Sequence, residues 1–209
     1  MLRRGGSVSG IDIDKTIGGE ALSVLKNLNN SNYTFQQFDI TANNLESEKY
    51  DFVFARFLLV HMTNPVDIIK KLYNALKPGG TLLIQDYDFS SIKAGRKLRA
   101  VTDYMRQIND EAFIRTGKDP EMGTNLSEYF TESIGIPDGT DVSSIVTPFK
   151  EGALMMKAVA QAMTPVLLKL NITTKERLNQ FFDDLEKGSE EKNVFFLWPM
   201  MNSAWKKKE

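Results

Sequence analysis

The groups whose type and place in this chain could do chemistry are strand-end carboxylates, a tyrosine and an arginine beside them, and one imidazole. The sequence has no cysteine and a single histidine, His61. Thiolate nucleophiles, disulfides and thiolate metal sites are therefore excluded, and a histidine-based zinc site lacks a second imidazole. The acidic residues of interest stand at the ends of apolar runs: Asp12 after Val8–Ile11, Asp39 after Tyr33–Phe38, and Asp86 after Thr81–Gln85, with Tyr87 and Asp88 behind it. A carboxylate at a strand end can accept two hydrogen bonds from a ribose diol, or orient an amine or hydroxyl. Each also has a plainer reading. Asp12 can be a solvated strand end, Asp14 a cap for the helical KTIGGEALSVLKNL, Asp39 a turn residue and Asp88 a cap acting with Ser90. Arg56 can be a salt-bridged rim residue. His61 is the only side chain able to serve as a near-neutral base, against its simpler use as a packing or capping residue.

The elements that position these groups centre on Lys49–Ser90, which reads as strand, helix, strand. Phe52-Val53-Phe54-Ala55 is a continuous apolar run, the pattern of a strand buried on both faces. Asn64 caps a helix with Pro65 in its first turn, and Val66, Ile69, Leu72 and Leu76 recur at helical spacing up to Lys77. Pro78-Gly79-Gly80 then turns the chain into Thr81–Ile84. A right-handed crossover of this kind is the unit of a doubly wound α/β sheet, whose ligands bind beyond the carboxyl ends of the strands. Here those ends are Ala55-Arg56 and Gln85-Asp86.

Upstream, residues 1–7 form a basic, glycine-rich start, Val8–Asp14 a strand, and Glu20–Leu28 a helix with Ala21, Leu22, Val24, Leu25 and Leu28 on one face. Asn29–Asn32 breaks that helix, and Tyr33–Phe38 is a second strand by its aromatic alternation. Downstream, Arg96–Thr116 is a long amphipathic helix stopped by Gly117, suited to a lid, a substrate wall, core cover or a dimer face. Met122–Ser133 is another helix, and Asp141–Phe149 is extended. Glu151–Leu170 is a methionine-rich helix that Pro165 should kink or divide. Thr173-Thr174-Lys175-Glu176 matches a capping box, with Gly188 beyond the end of the helix it opens. Val194–Trp205 is the last strand, at an edge or bulge because of Pro199, and Lys206–Lys208 is a solvated tail.

At 42% hydrophobic and 25% charged, the composition is that of an ordinary globular protein; 209 residues permit one domain or two, and a single domain spanning 1–209 is the expectation. A net charge of −1 offers no pull toward nucleic acid or an anionic membrane. No apolar run approaches the ~20 residues of a membrane span, and no signal-peptide core opens the chain, so a cytoplasmic location is expected.

The combination YDFVFARFLLVHM, helix, LKPGG and TLLIQDYDF resembles the class I S-adenosylmethionine-dependent methyltransferases of the small-molecule type. The likeness is strong over residues 8–90 and weak beyond. It implies a Rossmann-like, mostly parallel doubly wound sheet with an antiparallel last strand: a cofactor-binding half at 8–90, and a helical substrate-side insertion with C-terminal strands at 91–209. The resemblance further implies that Asp12 binds the cofactor ribose and Ile13 the adenine. It has Asp39 accept from the adenine amino group, Ile40 pack that ring, and the Ala55-Arg56 backbone lie near the methionine moiety. His61, Asp86 and Tyr87 would then border a small-molecule methyl acceptor with an O, N or C nucleophile. No metal is implied.

The family's opening strand and glycine-rich loop find no match here. Gly5-Gly6 follows no strand. Without that strand, its neighbours ending at Asp12 and Ala55 would face each other across ~10 Å, two strand spacings. They must pair directly, be completed by another chain, or belong to an N-terminally truncated sequence, and truncation is the expectation. The alternative function is a non-catalytic module for binding or homo-oligomerisation, through the apolar faces at 98–113 and 151–170.

Overall fold

A computed structural model of the chain describes residues 6–27 and 32–209. Most of the basic start and the expected helix break at 29–31, with Leu28 before it, lie outside the described residues. Two compact units divide at positions 46 and 47, inside the stretch assigned above to the cofactor-binding half.

The first unit is a strand, helix, strand motif: β1 (Val8–Asp12), α1 (Lys15–Asn27) and β2 (Tyr33–Gln37). β1 and β2 are parallel, in register from Val8 opposite Tyr33 to Asp12 opposite Gln37. Asp14 starts α1 by accepting from the Thr16 N–H at 2.7 Å, which satisfies one of the donors a helix start leaves open. The helix crosses β2 at Gly18, where a Cβ would lie 2.0 Å from the Phe35 ring. Any larger residue would push the two apart. The expected apolar face is narrower than its pattern, since Leu22 and Leu25 are half-buried while Ala21 and Val24 are exposed.

The second unit is built on a four-stranded sheet in the order β3 (Tyr50–Arg56), β4 (Leu76–Asp88), β9 (Met200–Lys207), β6 (Gly139–Ser143). β3 and β4 are parallel, while β9 runs antiparallel to both β4 and β6. Between the parallel strands the chain forms a 3-10 turn at Leu59–His61 and α2 (Pro65–Asn74), with the Asn64 side chain accepting from the Asp67 N–H at 3.2 Å. α2 and α4 (Met122–Ile134) pack together, and α4 lies against β4 and β9. Leu82, Ile84, Leu126, Phe130 and Ala204 are fully buried. A further core joins α3 (Arg99–Arg115), α5 (Phe149–Lys169), α6 (Lys175–Ser189) and a small sheet of β5 (Lys93–Ala94), β8 (Phe195–Leu197) and β7 (Val146–Pro148). It is filled by Met105, Ile108, Phe149, Met156, Phe181 and Phe196.

The α/β expectation with an antiparallel last strand holds, and several details change. β3 is not buried on both faces: Phe52 and Phe54, two residues apart and so on one face, are 54% and 51% exposed where that face borders an open cleft, and only Ala55 is fully buried. α2 stops at Asn74, not Lys77. Leu76 already pairs with Tyr50 and the next pair is Phe52 with Thr81, so Lys77–Gly80 bulges out of one long strand and is no free turn. Gly79 takes φ +79°, which a Cβ would resist. α5 runs through Pro165, since the carbonyl it leaves without an N–H belongs to Gln161, on an exposed part of the helix. The cap of α6 is Thr174, one residue later than a Thr173 capping box would place it, and Gly188 lies inside the last turn, with Leu98 and Phe149 against it.

The expected last strand is two strands in two sheets, parted at Trp198-Pro199, and its second half is interior, not edge. Lys206–Lys208 is no solvated tail. Lys206 and Lys207 lie in β9, and the Lys208 ammonium donates to the Leu76 carbonyl at 2.8 Å.

Gly123 brings α4 close to β4 and β9: a Cβ would lie 2.6 Å from Asn202 Nδ2 and 2.8 Å from the Asp88 backbone nitrogen. Gly123→Ala is therefore expected to lower unfolding free energy by about 1–3 kcal/mol, measured as a drop in the urea midpoint at unchanged slope.

Candidate functional site

In the first unit the four predicted residues fall at one edge. Asp12 ends β1, and its carbonyl accepts from the Phe38 N–H at 2.8 Å, which sets the Asp39-Ile40 segment beside it. The Gln37 side-chain amide closes the same edge by donating to the Ile13 carbonyl at 3.0 Å. Asp12 Oδ1 accepts from the Asp14 N–H at 2.8 Å. A carboxylate offers about four acceptor positions, so capacity for a diol remains. Ile13 is 63% exposed and Ile40 is buried. Asp39 is already engaged in a turn, with Oδ1 accepting from the Thr41 N–H at 2.9 Å and hydroxyl at 2.6 Å. A half-exposed carboxylate beside a bare apolar side chain fits the sugar and the flat ring of an adenosine.

In the second unit the predicted residues gather at the carboxyl ends of β3 and β4. Ala55 and Arg56 pair with Ile84 and Gln85, and the ladder continues one step as the Phe57 N–H donates to the Gln85 carbonyl at 3.0 Å. Phe57 then takes φ +55°, a conformation that costs a side-chain-bearing residue of order 1–3 kcal/mol. Its ring lies edge-on to Tyr87 at 5.3 Å, with the Arg56 guanidinium 4.6 Å from its centre. Tyr87 is flanked on its other side by Phe89 at 6.1 Å.

Alternation along β4 sends Asp86 inward, where it is fully buried. Its Oδ2 accepts from the N–H groups of Leu59 at 2.9 Å and Val60 at 3.2 Å, and its Oδ1 from the Tyr87 N–H at 3.1 Å. Burial pushes its pKa up to about 6 against the pull of these backbone donors. Burial also raises the Tyr87 phenol to about 12, helped by the neighbouring Asp86 charge, so the phenol stays protonated. Asp88 is the cap foreseen for it. Its Oδ1 accepts from the Ser90 N–H at 2.9 Å and hydroxyl at 2.6 Å, and its Oδ2 from the Thr124 hydroxyl of α4.

His61 closes the 3-10 turn after β3, with part of its ring open to solvent. Burial of the rest lowers its pKa, and the positive Lys118 lowers it further, so the imidazole is neutral at pH 7. Immediately beyond it, Met62, Thr63, Gly117, Lys118, Asp119 and Tyr129 line an open cleft of ≈ 340 Å³. Lys118 and Tyr129 escape a reading of the sequence because only the packing of α4 against the turn at 59–61, and the loop after α3, where Asp119 accepts from the Tyr129 hydroxyl at 3.0 Å, bring them here. A larger cleft of ≈ 510 Å³ lies on the sheet surface among Phe52, Leu83 and Trp205, away from the carboxyl ends.

Comparison with known proteins bears on these edges. A family model described as a methyltransferase domain matches residues 1–137. Phosphoethanolamine N-methyltransferase 2 of Caenorhabditis elegans is 31% identical over 80 residues, 38% of this chain and 18% of that protein. Methyltransferase str2 of Strobilurus tenacellus is 29% identical over 93 residues, 42% of this chain and 32% of that protein. The matched stretches thus span less than a third of either curated relative. Among solved structures, a putative methyltransferase from Bacillus halodurans superposes with TM-score 0.61 at 14% identity, over 97% of this chain and 83% of that one. Haemonchus contortus phosphoethanolamine N-methyltransferase 2, solved with phosphomonomethylethanolamine and S-adenosylhomocysteine, gives TM-score 0.52 at 17% identity, over 96% of this chain and 44% of that one. At these identities the likeness is one of fold.

Asp86 makes stability depend on pH. Its folded pKa of about 6 lies above the ordinary 3.8, so the folded chain holds this proton more tightly than the unfolded one. The associated stability is full below about 3.8 and is lost as pH rises through about 6. Its size is at most roughly 3 kcal/mol. Urea unfolding from pH 3.5 to 7 should show this decline, and Asp86→Asn should remove it.

Proposed function

The chain belongs to the methyltransferase-domain family, and on that premise we propose that it transfers a methyl group from S-adenosylmethionine to a small-molecule acceptor, with an amine nitrogen as the favoured nucleophile. The observation that carries the proposal is the juxtaposition, within the first unit, of Asp12 and Ile13 with Asp39 and Ile40 across the ends of two parallel strands. That pairing of acids and apolar side chains suits an adenosine.

Each residue has an assigned part. Asp12 accepts from the ribose diol, Ile13 and Ile40 contact the adenine, and Asp39 turns its segment toward the adenine amino group. The part proposed for the second unit by itself is that of the Ala55-Arg56 backbone, next to a methionine moiety. When bound, the cofactor supplies a sulfonium-activated methyl group, so what the protein must add is an acceptor held in line with it.

The amine reading draws support from the Phe57–Tyr87 pair at the carboxyl ends of β3 and β4, an aromatic edge that already holds a cation, the Arg56 guanidinium 4.6 Å from the Phe57 ring centre. It also agrees with the N-methyltransferase among the similar proteins. An ammonium must lose its proton before nitrogen can attack. His61, held neutral by burial and by Lys118, takes that proton first, and the freed nitrogen lone pair then forms the nitrogen–carbon bond as the sulfur–carbon bond breaks.

Two measurements test this. Calorimetry with S-adenosylhomocysteine should show binding that Asp12→Ala weakens about ten- to hundredfold, the scale of hydrogen bonds to a charged acceptor. Absence of any binding by the unmodified chain sinks the proposal. His61→Ala should lower kcat by roughly a hundredfold or more while leaving that binding within about threefold, as expected for a general base. Equal losses in binding and turnover would instead make His61 a packing residue.

A further inference from the structure

We propose that Asp86 is the positioning residue of the 57–61 segment, holding the turn that carries His61 and the backbone beyond Arg56 in the arrangement that methyl transfer needs. The proposal rests on the functional reading above. It assigns Asp86 no contact with the acceptor.

The geometry leaves Asp86 one set of partners. Its position on β4 points it to the helix-covered side of the sheet, with the buried Leu82 and Ile84 preceding it at alternate positions. Both carboxylate oxygens accept from backbone: Oδ2 from Leu59 and Val60, and Oδ1 from Tyr87. The Leu59 and Val60 side chains are fully buried, so their N–H groups have no access to bulk water as a substitute.

The segment held this way is strained. Phe57, at φ +55°, is the reversal point between the last rung of the β3–β4 ladder and the turn Asp86 grips. Such a conformation persists when its surroundings determine it from both sides. The Phe57 N–H to Gln85 carbonyl bond does so from one side, and Asp86 from the other. Gln85 and Asp86 are consecutive residues of β4, so one strand end sets both the entry and the exit of the turn. Loosening the exit would let Phe57 relax toward ordinary φ. That would swing His61 and the Arg56–Phe57 peptide away from the carboxyl edge without disturbing the sheet itself.

The test follows amide exchange, ligand binding and turnover in the full chain and in Asp86→Asn. In the unmodified chain the Leu59 and Val60 amides should exchange at least tenfold more slowly than the exposed amides at Thr63 and Asn64. In Asp86→Asn, which keeps one acceptor oxygen but turns an N–H₂ toward the donors, both should speed up about tenfold or more. KM for S-adenosylmethionine should rise and kcat fall by factors of about ten, with β4 amides still protected. Full protection at 59 and 60 in the variant, or unchanged KM and kcat in a folded variant, overturns the proposal. If Asp86→Asn does not fold, the unmodified chain decides: fast exchange at both amides overturns the anchor, and slow exchange with bound S-adenosylhomocysteine supports it. Slow exchange in a chain that binds no S-adenosylhomocysteine removes the methyl-transfer reading and this role together. That outcome is distinct from the case in which the chain binds ligand but the anchor is absent.

Discussion

The larger unit depends on the pairing of β4 along both of its edges, parallel to β3 on one side and antiparallel to β9 on the other. A strand so held cannot rotate, and its side chains are committed to alternate faces. Leu82, Ile84, Asp86 and Asp88 therefore go under the helices, while Leu83, Gln85 and Tyr87 face the other way. Two carboxylates are thus driven into a buried layer by register, not by affinity for it. Each is compensated by donors that the fold places within reach: Leu59, Val60 and Tyr87 for Asp86, and Ser90 and Thr124 for Asp88. The donors also explain why the Asp86 charge is not expelled outright, since burial and backbone hydrogen bonds pull its proton equilibrium in opposite directions.

That compensation links fold to site. A buried carboxylate without donors would be a defect. With donors, it becomes a clamp on whichever backbone supplies them. For Asp88 the clamped partners are the Ser90 turn and the start of α4, both structural. For Asp86 they belong to the turn after β3, next to the carboxyl edge where ligands of such sheets bind. The same chemistry at two neighbouring positions thus serves two purposes, and only the location of the donors separates them.

Much of this was legible in the chain because the deciding interactions are local. The strand, helix, strand order at 49–90, the Asn64 cap, the Asp88 cap and the inward face of α3 all rest on residues within a few positions of one another. Where the outcome depends on distant partners, the local pattern misleads. Phe52–Ala55 has the composition of a strand covered on both sides, yet nothing in that composition says whether other elements will cover both faces. Val194–Trp205 looks like one strand ending at an edge. Its division follows from two different sheets competing for its halves, with Pro199 at the seam and β6 taking the outer place. Lys208 looks like tail until the end of β9 brings its ammonium to the Leu76 carbonyl.

The site residues divide along the same line. The acids at strand ends stood out at once, because a carboxylate after an apolar run is a local signal. What each does depends on which donors arrive, and those come from other elements or from the turn itself. Asp39 spends an oxygen on Thr41 and Asp12 spends one on Asp14, each within two residues. Such local bonds occupy only part of a carboxylate's acceptor capacity. They orient the group without using it up. A ligand diol meets Asp12 already turned and half-exposed, whereas Asp86, enclosed by donors from the next turn, has no surface left to offer. Exposure together with donor supply, more than residue type, distinguishes a carboxylate that binds from one that holds its neighbours in place.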